Sequence, residues 1–198
     1  TERGSLEERL VKGSYPEVVS IPEFSVRTVK SLASSYLFKD IFSMDGLRFP
    51  SVIENIVRAL AFQVGSEVNY SELAQLTGTD AKTVEKYLRI LEQAYIVFRL
   101  PAISRNERNE IKKGKKYYFY DNGIRNALIG NLTDLNIRTD VGALWENYLI
   151  SERRKYLSYS ESMARTFVWR TVQQQEIDYL EETHEGFRAF EIKWSEKA

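Results

Sequence analysis

Two short runs near the end of the chain constrain it more than any other stretch. Glu176-Ile177-Asp178-Tyr179-Leu180 reads as one strand, and Phe187 to Trp194 reads as a second that carries Glu191-Ile192-Lys193. The polar turn Glu181-Glu182-Thr183-His184-Glu185-Gly186 lies between them and suits a hairpin. Side chains two apart on a strand share a face, so Glu191 and Lys193 project together while Ile192 turns into a core. Pairing of the two strands brings Asp178 to the same face. An acid beside acid-x-lysine offers hard oxygens for Mg²⁺ and an ammonium for charge on a phosphate, the needs of a metal-dependent phosphodiester-cutting site.

The chain as a whole divides into three segments. The first, 1–45, passes Gly13-Ser14-Tyr15-Pro16 and continues beyond Pro22 into an amphipathic helix marked by Val26, Val29, Leu32, Ala33, Tyr36 and Leu37. The second, 46–130, opens on a helix over 51–64 with Val52, Ile56, Ala59, Leu60 and Gln63 on one stripe. Asn69 or Ser71 caps a short helix to Leu76, Gly78-Thr79-Asp80 turns, and Asp80 caps a helix to about Ala94. Two helices joined by a short glycine-containing turn form a helix-turn-helix pattern. Strands over 95–100 and 116–120 follow, with a basic loop between them as a wing. The third segment, 131–198, starts with a helix capped by Asp140 that places Val141, Leu144, Trp145, Tyr148 and Leu149 on one side. Strands over 166–170, 175–180 and 187–194 complete it.

The second segment offers a nucleic-acid surface. Lys82, Lys86, Arg89 and Gln93 fall on one face of their helix, away from the apolar stripe of Val84, Leu88 and Leu91. The wing adds Arg105, Arg108, Lys112, Lys113, Lys115 and Lys116 against Glu107 and Glu110, a loop able to contact phosphates. The competing reading is an ordinary solvated face or a protein–protein module. With 28 basic and 28 acidic residues the chain is no polycation, so any such surface has to be local.

The third segment supplies the candidate chemistry. Asp178 and Glu191 give two carboxylates for Mg²⁺, Glu146 on the preceding helix gives a third or holds a metal-bound water, and Lys193 stabilises the phosphate or orients water. The competing reading is a surface ion pair between Asp178 and Lys193. The same three residues recur at Glu110-Ile111-Lys112, so acid-x-lysine carries weight only through its surroundings. The chain has no cysteine, one histidine (His184, in the polar turn) and no G-x-x-x-x-G-K-[ST] loop, which sets aside a thiolate or histidine zinc cluster and that route to a nucleoside triphosphate. No apolar run reaches the roughly 18 residues of a membrane helix and no signal peptide is visible, so a cytoplasmic protein without membrane contact is expected.

Leu144-Trp145-Glu146-Asn147-Tyr148-Leu149, Glu176-Ile177-Asp178-Tyr179 and Phe190-Glu191-Ile192-Lys193-Trp194-Ser195 together resemble the C-terminal domain (DUF4143) of a prokaryotic AAA+ ATPase family. That domain is similar to the PD-(D/E)xK restriction-endonuclease-like fold. Thr83-Val84-Glu85-Lys86-Tyr87-Leu88 and Tyr117-Tyr118-Phe119-Tyr120-Asp121-Asn122-Gly123 resemble the family's winged helix, and Gly13-Ser14-Tyr15-Pro16-Glu17 the tail of its ATPase module. The resemblance implies a multi-domain α/β chain: an ATPase tail or helical linker over 1–45, a winged helix over 46–130 and a nuclease-like domain over 131–198 that lacks its last elements. It implies Glu146, Asp178, Glu191 and Lys193 as the nuclease-like positions, and ATP only in a domain preceding Thr1. The expected partners are DNA and the ATPase module of the same protein, with a homo-oligomer admitted. The expected activity is DNA binding or Mg²⁺-dependent cleavage coupled to that ATPase; the alternative is a non-catalytic module that docks or regulates it.

Overall fold

A computed structural model describes residues 2–36, 39, 41, 49–103, 115–170 and 175–194. Among the described residues the chain is mixed α/β, with eight α-helices and two small antiparallel sheets. The helices are α1 (Glu2–Lys12), α2 (Pro16–Ser20), α3 (Ser25–Ser31), α4 (Pro50–Phe62), α5 (Tyr70–Thr77), α6 (Ala81–Gln93), α7 (Asn122–Leu128) and α8 (Val141–Tyr159). Strands β1 (Val97–Pro101) and β2 (Lys115–Phe119) form one sheet. Strands β3 (Arg165–Arg170), β4 (Glu176–Thr183) and β5 (Gly186–Phe190) form the other, in the order β3-β4-β5.

The helices of the second segment follow their sequence signals closely. Pro50 occupies the first turn of α4, where its missing N–H costs nothing. The buried stripe of α4 is Ile53, Ile56, Val57, Leu60 and Ala61. It is turned slightly from the expected one, leaving Val52, Ala59 and Gln63 at the margin. The Asn69 side chain accepts from the backbone N–H of Ser71 at 2.9 Å and of Glu72 at 3.3 Å, fixing the start of α5. Gly78 ends that helix at φ 69°, a left-handed cap that glycine adopts without a Cβ penalty. Asp80 then caps α6 by accepting from the N–H of Lys82 at 2.9 Å and of Thr83 at 3.0 Å. Tyr95, expected in a strand, sits at φ 55° and is exposed; β1 begins two residues later.

Two apolar cores hold the elements together. The larger joins α4, α5, α6, β1 and β2 and continues into the third segment through Ile150, Val168 and Tyr179. The smaller gathers Val18, Val29, Ala33 and Ile124 from α2, α3, the turn after α3 and α7. Val26 is exposed, so the amphipathic stripe of the first segment is narrower than its spacing suggests, and Leu37 lies outside the described residues.

Helix α8 departs furthest from expectation. Asp140 precedes it but gives no side-chain cap; its carboxylate is taken instead by Arg125 and Arg138. The buried face of α8 is Leu144, Asn147, Ile150, Ser151 and Leu157, so only Leu144 of the expected apolar set is buried. Hydrogen bonds select that face. Asn147 donates to Phe119 O at 3.0 Å and accepts from Phe119 N–H at 2.7 Å, pairing with β2 as a neighbouring strand would. Ser151 donates to Tyr120 O at 2.8 Å.

Candidate functional site

The hairpin β4–β5 forms as the alternation predicts, but it is shorter at its far end. Pairing runs from Thr183↔Gly186 to Tyr179↔Phe190, and Glu191–Trp194 lie beyond the ladder. The register leaves Asp178 one step past the last pair. There its Oδ2 accepts from the backbone N–H of Ile192 at 2.7 Å, satisfying a donor that the strand no longer pairs. Ile192 packs against the larger core, as expected, while Glu191 and Lys193 are both exposed. Those two pair with each other at 2.7 Å. The hydrogen bond from Lys193 to Glu191 and the charge of that carboxylate hold the ammonium above its usual range, with a smaller contribution from Asp178.

Glu146 lies close enough to Asp178 to feel its charge. Its Oε1 accepts from the Tyr118 hydroxyl at 2.6 Å and lies 3.6 Å from Lys116 Nζ. Burial pushes the Glu146 carboxyl up; Lys116 and Tyr118 pull it back, and the charge of Asp178 pushes it up again. Lys116 Nζ is also 2.5 Å from Glu176 Oε1. The Tyr118 hydroxyl is pushed far above the usual phenol range, first by burial and then by Glu146. Lys116, Tyr118 and Glu176 are therefore members of this centre that the sequence reading did not place there. Lys116 is expected in the basic wing, yet it lies on β2 with only 11% of its side chain exposed. The signal that could have found them is the strand period: Lys116 and Tyr118 are two apart on β2, and Glu176 and Asp178 are two apart on β4.

These partners bear on Mg²⁺, which the resemblance implies. Magnesium takes one or two carboxylates and keeps several waters, so the donor chemistry is suitable. The arrangement is not. Glu146 and Glu176 share an ammonium, Asp178 is engaged by a backbone N–H, and Glu191 is turned to Lys193. Among the described residues no group of three or more His, Cys, Asp or Glu side chains is gathered to hold a metal ion. The large open groove between α1 and the start of α8 is bordered by Lys193 and Trp194, but Glu146, Asp178 and Glu191 do not line it.

The other expected surface lies on α6. Lys82, Lys86, Arg89 and Gln93 are exposed along one side, opposite buried Val84, Leu88 and Leu91. Arg89 Nη2 donates to Glu85 Oε1 at 2.7 Å, one turn back on the same helix. Arg105, Arg108, Lys112 and Lys113, together with the Glu110-Ile111-Lys112 repeat, lie outside the described residues. His184 is exposed, as a turn residue should be. Glu181, grouped with that turn in the sequence, belongs to β4 instead; it is buried and held by Arg153 at 2.6 and 2.8 Å.

A domain family described as a domain of unknown function, DUF8612, matches residues 3–135. The chain belongs to this family. A second domain of unknown function, DUF4143, matches residues 141–198, in agreement with the resemblance drawn from the C-terminal motifs. An uncharacterized protein of Haemophilus influenzae is 30% identical over 124 residues, covering 60% of this chain and 31% of the relative. The uncharacterized protein Rv2008c of Mycobacterium tuberculosis is 25% identical over 182 residues, covering 87% of this chain and 40% of the relative. The chain thus spans less than half the length of these relatives. No solved structure matches it. Among the described residues no helix is long and apolar enough to cross a membrane.

Proposed function

We propose that this chain is the DNA-contacting, nuclease-like region of a longer ATP-driven protein, and that it holds the phosphate backbone without cutting it. The observation that carries the reading is the α6 surface. Lys82, Lys86 and Arg89 are exposed on α6, on the side away from the core. The order α4, α5, α6, β1, β2 supports a winged-helix reading, with α5 and α6 as its helix-turn-helix and α6 as the helix offered to the major groove. Cations at steps of four and three along the helix form a row able to meet successive phosphates. The residues around Asp178 support a nuclease-like fold for the third segment, and their present partners support a non-hydrolytic role. The ATPase module of the same protein is the proposed source of motion, with this region as its hold on DNA.

Titrating duplex DNA against the wild-type chain and a Lys82→Ala/Lys86→Ala/Arg89→Ala variant, over a range of salt, tests the reading. Each lost phosphate contact should lower the salt slope by about 1, so the variant should bind more weakly with a slope smaller by roughly 2–3. Equal affinity and equal slope would favour a protein-docking module instead. In Mg²⁺, wild type and Asp178→Ala should leave the DNA equally intact; cutting by wild type alone would restore the hydrolytic reading.

A further inference from the structure

The acidic centre contains its own cation, and the way that cation is held suggests a role. Lys116 reaches Glu176 Oε1 at 2.5 Å and Glu146 Oε1 at 3.6 Å. Its backbone is fixed on both sides, by Leu100 in β1 and by a bridge to Glu67. The ammonium is thus delivered from a paired strand rather than from a loose surface chain. Tyr118, two residues on, fixes Glu146 from the same strand at 2.6 Å. Gly65 lets the turn after α4 close over this carboxylate. Its φ is +76°, and a Cβ there would lie 3.2 Å from Glu146 Oε1.

We propose that Lys116 is the resident counter-ion of the Glu146–Glu176 pair, occupying the place a divalent cation would take and keeping the pair closed to metal. Two carboxylates sharing one ammonium leave net negative charge, so the pair is under-compensated even with Lys116 in place. Removing that ammonium exposes a pair of oxygen donors with a third acid nearby, the donor type that Mg²⁺ and Mn²⁺ prefer. This inference is independent of DNA contact by α6 and is read by a different measurement.

The test uses thermal unfolding of wild type, Lys116→Met and Lys116→Met/Glu146→Gln, each in Mn²⁺ or Mg²⁺ and in KCl of matched ionic strength. Wild type should melt at the same temperature in both. Lys116→Met should melt lower in KCl and recover by at least about 2–4 °C with Mn²⁺, and the double variant should lose most of that recovery. Wild type responding to Mn²⁺ as strongly as Lys116→Met, or Lys116→Met showing no response, overturns the proposal. If Lys116→Met fails to fold in both salts, Mn²⁺ binding to wild type decides by electron paramagnetic resonance. A bound ion lost on Glu146→Gln contradicts the proposal, and free Mn²⁺ throughout supports it.

Discussion

Asp140 is the residue whose environment most clearly exceeds its sequence context. Arg138 donates to it through Nε and Nη2, both at 2.8 Å, and Arg125 donates through Nη1. Arg125 Nε in turn donates to Ala61 O at 2.6 Å, at the end of α4. Asn126 donates to Leu10 O at 3.1 Å and Val11 O at 2.8 Å, at the end of α1. The clasp therefore ties α1, α4, α7 and the start of α8 together. Burial alone would push the Asp140 carboxyl up, but the hydrogen bonds and charges of Arg138 and Arg125 outweigh it and hold it down at about 2. A depressed carboxyl stabilises the fold above its unfolded value and loses that contribution as pH falls through the folded one. Asp140→Asn should therefore be less stable than wild type at neutral pH, with the gap closing between about pH 4 and about pH 2 in urea melts. A gap that persists unchanged at pH 2 would mean that Asp140 acts through packing rather than charge. Breaking the clasp from the other side, Arg125→Met leaves Asp140 paired with Arg138 but Ala61 O without its donor, and should cost roughly 1–3 kcal/mol.

At the scale of elements, local chemistry was legible and long-range pairing was not. Asn69, Gly78 and Asp80 announced the start and stop of α5 and the start of α6 because capping uses only neighbouring residues. The hairpin turn near Gly186 was legible for the same reason. The early end of β5 was not. A strand continues while it has a partner, and Asp178 ends the ladder by bonding Ile192 N–H with its side chain. The buried face of α8 was also hidden. Asn147 and Ser151 are buried because β2 and Tyr120 present backbone groups to them, a fact of tertiary contact that helical spacing does not encode. Asn147→Ala would leave Phe119 N–H and C=O without partners in the core. That should cost roughly 2–6 kcal/mol, at about 1–3 kcal/mol for each buried unsatisfied group, seen as a lower denaturation midpoint. A cost near zero would show that α8 does not depend on this pairing.

Across the whole molecule, the matched family segments and the physical core divide the chain differently. DUF8612 covers 3–135 and DUF4143 covers 141–198, yet Ile150, Val168 and Tyr179 from the second lie in the same apolar core as α4–α6, β1 and β2. The Arg125–Asp140–Arg138 clasp stands at the seam between the two. The same seam explains how the acidic centre assembles: Lys116 and Tyr118 come from β2, Glu146 from α8, and Glu176 and Asp178 from β4. The sequence motifs pointed to Glu146 and Asp178 but not to Glu176. They could not show that a strand in the other matched segment brings the lysine that answers these carboxylates. The α6 surface, by contrast, is set by one helix and its own period, so it could be read directly. Hydrogen exchange of the whole chain with and without duplex DNA reads whether α6 holds the duplex. DNA contact through α6 should slow exchange in peptides from 81–93 and leave 176–193 little changed. Protection over 176–193 with none on α6 would contradict it.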